Sequence, residues 1–140
     1  MESSFSSDCT NFLYKIKSSY PEFTFREGKK FAFRPPKTII FGPSEPHFEL
    51  LLLHEVSHAI LGHRTFKTDV ERLKMESEAW DQAEKLTKTF NIPFDAEFAQ
   101  SELDSYRDWL HTKSKCQKCG LTRYQTRDGR YFCPHCQGLS

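Results

Sequence analysis

Hydrophobic residues recur at helical spacing in four stretches of the chain. In the first, Phe12, Leu13 and Ile16 share one side of a short helix that ends before Pro21. The second is a nearly continuous apolar run that begins near Pro46. Two longer amphipathic helices follow, and each is preceded by a residue that can cap a helix. The three later helices are predicted over residues 46–61, 68–90 and 95–111.

Between the first and second predicted helices, hydrophobic residues recur at every second position. Four phenylalanines alternate with polar residues on either side of Gly28, a pattern typical of an antiparallel hairpin with one apolar face. Residues 37–41 (KTIIF) predict a third strand. We therefore expect an α+β fold with a short antiparallel sheet and about four helices. The four phenylalanines are Phe23, Phe25, Phe31 and Phe33.

The apolar helix contains the pattern H-E-x-x-H at His54, Glu55 and His58. With about 3.6 residues per turn, positions 54 and 58 lie on one face of the helix, so two imidazoles can hold one metal ion. Glu55 lies about 100° round the helix, beside the metal, where a general base can take a proton from water. The pattern predicts a catalytic zinc site, which usually has three protein ligands.

The spacing excludes a third ligand of the metzincin type. The pattern H-E-x-x-H-x-x-G-x-x-H requires glycine and histidine at positions where this chain has Leu61 and Arg64. His63 is one residue short of the required position. It is a candidate to orient a metal ligand or to hold an oxyanion, or it is simply exposed near the end of the helix.

A carboxylate from the following helix is the second option, and helical geometry separates Glu76 from Glu78. Glu76 lies within a mainly apolar stripe, where a carboxylate is costly unless it is paired or bound to a metal. Glu78 shares a face with charged residues and is expected to face solvent. Glu76 is therefore preferred, and the alternative is that it pairs with a lysine or an arginine. The stripe consists of Asp69, Leu73, Glu76, Trp80, Ala83, Thr87 and Phe90.

The segments HEVSHAILGH and ESEAWDQA together resemble the gluzincin metallopeptidases, most closely the ImmA/IrrE family. That family of small zincin-like enzymes joins an H-E-x-x-H helix to a downstream E-x-x-A-N-x-F-A segment. Glu76, Ala79 and Ala83 match this segment, whereas Trp80 and Gln82 stand where the family has Asn and Phe. The resemblance covers roughly residues 37–90, from the third predicted strand to the end of the helix predicted over residues 68–90.

The resemblance implies that Glu55 is the catalytic base of a zinc metallopeptidase. Trp80 and His63 are then candidates to orient the ligands or to stabilise the oxyanion. The zinc ligands implied by the resemblance are His54, His58 and Glu76. Further oxyanion candidates are His47, Tyr106 and His111.

Four of the five cysteines form two C-x-x-C pairs near the C-terminus, separated by 13 residues. This spacing is typical of a zinc ribbon, and Asp128-Gly129 predicts a hairpin turn between the pairs. Gly120 and Gly138 are expected to provide the tight turns beside the sulfurs. Four thiolates complete the coordination shell, so this second zinc is expected to be structural. The ligands are Cys116, Cys119, Cys133 and Cys136. The predicted domains are residues 1–112, zincin-like, and residues 113–140, a zinc ribbon.

Charge distinguishes the ribbon from the helical region. From position 113 onwards the sequence has six basic residues and one acidic residue, whereas residues 69–108 have eleven acidic and five basic ones. We predict that the ribbon surface binds nucleic acid or an acidic protein, and the alternative is that its residues are ordinary solvated strand positions. The candidates for partner binding are Arg123, Tyr124, Arg127 and Arg130.

Composition points to a cytoplasmic protein. No apolar run approaches the roughly 18 residues needed to cross a bilayer, and the N-terminus lacks the basic and apolar blocks of a secretory signal. Paired C-x-x-C motifs are typical of metal ligands in a reducing compartment. No membrane association is expected.

The predicted function is hydrolysis of peptide bonds in a specific intracellular protein by a zinc-dependent endopeptidase. A different protease is one alternative, because the domain order is similar to the SprT/Spartan-like group, which is associated with proteolysis of DNA-bound proteins. That group uses a downstream histidine in an H-G-x-x-W context, which this chain lacks. The other alternative is a non-catalytic zinc-ribbon adaptor.

Overall fold

The computed structural model describes residues 7–42 and 46–139. Within them the fold is α+β, as predicted, and no helix of these residues combines the length and apolar character of a bilayer crossing. The helices are α1 (Ser7–Ser19), α2 (Phe48–Ile60), α3 (Asp69–Thr89) and α4 (Ala96–Ser114). The strands are β1 (Thr24–Glu27), β2 (Ala32–Arg34), β3 (Thr38–Phe41), β4 (Tyr124–Gln125), β5 (Tyr131–Cys133) and β6 (Gly138–Leu139).

The described residues divide into two compact units. The first contains α1, β1 to β3, α2 and the segment Glu78–Asp95, which includes most of α3. The second contains Thr65–Ser77, α4 and the strands β4 to β6. The predicted domain division between residues 112 and 113 stays a prediction.

The sheet of the first unit is mixed rather than antiparallel. Its strand order is β1-β3-β2, with β1 parallel to β3 and β2 antiparallel to β3. The predicted hairpin of the two phenylalanine-bearing strands is therefore wrong, because β1 and β2 lie at opposite edges. The tight connection joins β2 to β3 and carries Pro35-Pro36, whose peptide bond is cis. The register places Thr24 opposite Thr38 and Ala32 opposite Ile40.

Strand β3 is the central strand and has one buried face. Ile39 and Phe41, two residues apart, point to the same side of the sheet and are both buried, whereas Thr38 and Ile40 on the other side are only partly buried. Gly28 packs beside β3 instead of forming a hairpin turn. Its N–H donates to the Phe41 carbonyl at 2.9 Å, and a Cβ on Gly28 would lie 2.6 Å from Ile40 Cγ2. The glycine thus permits a close approach of β1 to β3.

Helix α2 forms the centre of the first unit. It packs against β2, β3 and α1, and nearly every side chain from Phe48 to Ala59 is buried. A helix that is apolar on all sides is stable only when it is enclosed, and each fully buried large side chain contributes about 1.5–3 kcal/mol. The polar residues of α2 are therefore held in a water-poor environment. Its fully buried apolar side chains are Phe48, Leu52, Leu53 and Val56.

In the second unit, the predicted capping box and the predicted ribbon hairpin are both confirmed. The Glu71 N–H donates to Thr68 Oγ1 at 3.3 Å at the start of α3. Strands β4 and β5 pair antiparallel across a turn in which Gly129 has a φ of 90°. Strand β6 then pairs antiparallel with β5.

A buried aspartate joins the first turn of α3 to the ribbon within this second unit. Asp69 Oδ2 accepts a hydrogen bond from the Tyr131 hydroxyl at 2.7 Å and lies 2.9 Å from Lys113 Nζ. Burial alone would raise the pKa of Asp69, but the Tyr131 hydrogen bond and the Lys113 charge outweigh it and lower that pKa. Burial and the bond to Asp69 raise the pKa of Tyr131 to about 12. The hydroxyl therefore remains a donor at neutral pH.

Candidate metal centres

The H-E-x-x-H residues lie in the buried middle of α2. His54, Glu55 and His58 expose 5%, 8% and 4% of their surface, respectively. One ligand atom from each lies within 4.8 Å of the ligand atoms of the other two, so the three side chains form a group that can hold a metal ion. Burying a carboxylate beside two imidazoles costs solvation free energy, which a bound cation would offset.

The two imidazoles have the spacing of neighbouring zinc ligands. His54 Nε2 and His58 Nε2 are 3.3 Å apart, and the ring planes are at 82° to each other. Two nitrogens that bind zinc at about 2.0–2.1 Å in tetrahedral geometry lie about 3.3 Å apart. The residues present therefore fit a zinc ion held through the Nε2 atoms.

Aromatic rings fix both imidazoles from outside α2. The buried Trp80 indole stacks on His54, with ring centroids 4.3 Å apart and an interplanar angle of 29°. Phe33 of β2 stacks on His58 at 5.6 Å and 13°. Trp80, predicted to lie beside the metal ligands, thus contacts the ring of a predicted ligand directly. The stacking of Phe33 on His58 could not be predicted from the sequence, because it depends on which face of the sheet covers α2.

His63 and Glu78 continue the site beyond His58. His63 Nδ1 lies 2.8 Å from His58 Nδ1, and His63 Nε2 lies 3.2 Å from Glu78 Oε1. Glu78 is exposed, as its helical face predicts, but its position brings it to the histidine at the end of α2. Sequence reasoning therefore missed Glu78, because the face of α3 was read without knowing which loop passes it.

The third predicted ligand and the oxyanion candidates occupy several elements. Glu76 is half-buried on α3, one helical turn before Trp80, and its role as a ligand stays a prediction. His47 precedes α2, and its Nε2 lies 3.3 Å from Asp95 Oδ2. Tyr106 and His111 lie on α4. The oxyanion roles of these side chains also stay predictions.

The four paired cysteines form a second group that can hold a metal ion, with all four Sγ atoms within 4.8 Å of one another. Cys119 Sγ and Cys133 Sγ are 3.5 Å apart, and Cys116 Sγ and Cys136 Sγ are 3.9 Å apart. Sulfurs bound to zinc at about 2.3 Å lie about 3.8 Å apart, so the cluster fits zinc. Backbone N–H groups of Cys119 and Lys118 lower the pKa of Cys116 to about 6, which favours the metal-binding thiolate.

Both cysteine turns have the same backbone design. The Gly120 N–H donates to the Cys116 carbonyl at 2.8 Å, and the Gln137 N–H donates to the Cys133 carbonyl at 2.7 Å. Gly120 and Gln137 both have positive φ, at 77° and 53°. The sequence predicted Gly138 as the turn residue beside the second cysteine pair. This prediction is wrong, because the left-handed residue of that turn is Gln137.

The four predicted partner-binding residues differ in how they are used. Arg123 donates to the Lys113 carbonyl at 2.8 Å and lies 5.0 Å over the Tyr131 ring, so it stabilises the second unit itself. Arg130 pairs with Asp128 at 3.1 Å. Tyr124 and Arg127 are exposed. Binding of nucleic acid or protein by this surface stays a prediction.

Comparison of the chain with protein-family models, with curated proteins and with solved structures found no match. The functional inference therefore depends on the chemistry of the two ligand clusters.

Proposed function

We propose that this chain is a zinc-dependent endopeptidase with a separate structural zinc in its ribbon. The observation that carries the proposal is the 3.3 Å spacing of His54 Nε2 and His58 Nε2, with the Glu55 carboxylate in the same buried group. Among the described residues, the cysteine cluster brings together four side chains that can bind a metal, whereas the histidine cluster brings together two imidazoles and a carboxylate. Fewer protein ligands leave room for water and substrate, as in a catalytic zinc site.

The proposed ligands are His54, His58 and the sequence-predicted Glu76. A zinc ion held there would supply Lewis acidity, which polarises a peptide carbonyl and makes water more acidic. Glu55 would accept the proton of the attacking water and deliver it to the leaving amine. Because Glu55 is buried in an apolar helix, its carboxylate faces little competing water.

The stacked rings support this arrangement by limiting imidazole motion. Trp80 against His54 and Phe33 against His58 hold both Nε2 atoms toward each other. Catalytic groups that are held in place lose less entropy at the moment of reaction. The resemblance to the ImmA/IrrE family supports a protein as the substrate class.

Zinc counting tests the metal site without requiring a substrate. The wild type should bind two zinc ions per chain, His54→Ala should bind one, and Cys133→Ser should lose the other. The metal content is measured by atomic emission on the purified full chain. A wild type that binds a single zinc, which depends on Cys133 and not on His54, would contradict the proposal and leave the adaptor.

Glu55→Gln tests the base. The variant should keep both zinc ions and lose about 10²–10⁴-fold in cleavage rate, which is the typical contribution of a general base. Cleavage is measured by mass spectrometry on a peptide library, with Glu49→Gln on the same helix as the control. Cleavage at the wild-type rate by Glu55→Gln would refute the base assignment.

A further inference from the structure

The end of α2 has a specific hydrogen-bonded stop. Gly62 has a φ of 69°, and its N–H donates to the Ala59 carbonyl at 3.1 Å. The next N–H, that of His63, donates to the His58 carbonyl at 3.0 Å. These two bonds define the Schellman motif, in which a left-handed glycine turns the chain back over the last helical turn.

The stop brings two imidazoles together. In a Schellman motif, the residue after the glycine usually makes an apolar contact with the residue that His58 represents here. In this chain the contact is a hydrogen bond between His63 Nδ1 and His58 Nδ1, at 2.8 Å. The His63 side chain is only 9% exposed, so water competes weakly for this bond. The Gly62-His63 sequence after α2 therefore places a polar group against Nδ1 of His58, a proposed metal ligand.

The Glu78 carboxylate determines which ring nitrogens of His63 and His58 carry a proton. A carboxylate only accepts hydrogen bonds, so His63 must donate to Glu78 from Nε2, across 3.2 Å. The Nδ1 of a neutral His63 is then an acceptor, and His58 must donate to it from Nδ1. This leaves the lone pair of His58 on Nε2, the atom that faces His54 Nε2 at 3.3 Å.

We infer that Glu78 and His63 are positioning residues that hold His58 in the tautomer and orientation needed to bind a metal through Nε2. This inference rests on the proposed zinc site and extends it to two residues on different elements. The opposite tautomer would place a hydrogen on His58 Nε2 and the lone pair of His63 Nε2 against the carboxylate. Both changes work against binding of a cation.

The expected effect is a loss of zinc affinity. Groups that orient a histidine ligand typically contribute about 10–100-fold in metal affinity or activity. The Glu78 side chain is 46% exposed, so solvent screens its interaction with His63. Glu78→Ala should therefore lower the zinc affinity by about 10-fold, the lower end of this range. His63→Ala removes the acceptor of the His58 N–H and should cost at least as much. Glu78→Gln retains an acceptor but also presents donors, so its effect should be smaller.

The experiment is a zinc titration of the full chain, with its ribbon site filled, against a competing chelator. His54→Ala identifies the binding step that belongs to the histidine site. Glu84→Gln, an exposed carboxylate on the same helix α3, is the matched control and should bind zinc like the wild type. Imidazole ¹⁵N NMR of the zinc-loaded protein is a second measurement, because it identifies which ring nitrogen of each histidine carries the proton. A purely structural role of Glu78 and His63 would not fix these tautomers. It should show His58 protonated on Nδ1 and His63 protonated on Nε2.

Unchanged zinc affinity in both Glu78→Ala and His63→Ala, with two zinc ions bound, would overturn the positioning role and leave the zinc site intact. A proton on His63 Nδ1 in the loaded wild type would overturn it as well. A wild type that lacks the His54-dependent zinc would overturn the proposed function and this inference together. Weaker binding in the two variants, normal binding in Glu84→Gln and the stated tautomers would support the inference.

Discussion

The cysteine cluster and the histidine cluster bring their side chains together by opposite means. All four thiols come from two copies of one local turn, and each turn is closed by its own backbone hydrogen bond. The two imidazoles come from one buried helix, and the groups that fix them come from a strand, a second helix and a loop. We therefore expect the cysteine cluster to depend on a bound metal for its folding, and the histidine cluster to depend on the packing of its unit.

Removal of one ribbon thiol is expected to have the largest effect. Structural zinc contributes about 10–16 kcal/mol to the folding of small zinc modules, so Cys133→Ser should unfold the β4–β5 hairpin. The histidine site should keep its zinc, because its helix is stabilised by apolar burial. Backbone NMR and metal content measure the two outcomes. Cys9→Ser, a change at a half-buried cysteine of α1, is the control. A hairpin that stays folded without zinc would contradict the expected dependence of the ribbon on its metal.

Loss of the Trp80 ring is expected to affect the histidine cluster. Trp80→Ala removes a buried indole and is expected to lower the free energy of unfolding by about 3–5 kcal/mol. It should also weaken zinc binding at His54, which loses its stacking partner. Urea denaturation and zinc titration measure the two effects.

Phe90→Ala separates these two effects. It also removes a buried ring, one that contacts Phe12 and Tyr20, and should cost similar stability with normal zinc affinity. Equal losses of zinc affinity in the Trp80 and Phe90 variants would show that general destabilisation, and not ring stacking, controls the site.

The Tyr131–Asp69 bond tests how far the ribbon is supported by more than its zinc. Tyr131→Phe removes a hydrogen bond to a charged group and should lower the stability of the second unit by about 1.5–3 kcal/mol at neutral pH. Tyr124→Phe, on an exposed ring of the same hairpin, is the control and should change little. Urea unfolding of the zinc-loaded protein measures both variants.

The pH dependence of this difference has a definite sign. The pKa of Asp69 is lowered in the folded state, so its contribution is present above its unfolded pKa of about 3.9 and is lost as pH falls through the folded value. The pKa of Tyr131 is raised to about 12 in the folded state, so its contribution is fully present below its unfolded pKa of about 10 and is lost as pH rises from that value through about 12. The gap between wild type and Tyr131→Phe should therefore narrow at both extremes. A constant gap would contradict the assigned bond.

Two backbone substitutions should have the smallest effects, and of opposite sign. Gly62→Ala places a side chain at a φ of 69° and should destabilise the first unit by about 1–2 kcal/mol. The cost comes from the backbone alone, because an added Cβ meets no atom within 4 Å. Gln137→Gly relieves a φ of 53° and should stabilise the second unit by up to about 1 kcal/mol. Denaturation midpoints measure both, and a destabilising Gln137→Gly would contradict the strain assigned there.

Much of the fold was predictable because it follows from local rules. The periodicity located the four helices, and the Thr68-x-x-Glu71 box placed the start of α3. The strand positions were also predictable, but their pairing was not. Gly28 between two phenylalanine pairs suggested a hairpin, whereas in the structure β3 lies between the other two strands and Gly28 packs against it.

The amino-acid sequence by itself identified the side chains that form the two candidate metal clusters. Each C-x-x-C turn and the H-E-x-x-H turn bring side chains together within a few residues, so these motifs are recognised without any distant contact. Only the tertiary structure decided what surrounds those side chains. Phe33, Trp80 and Glu78 reach the histidines because strands and helices pack in one particular arrangement, and helical period alone identifies a face without identifying its neighbour.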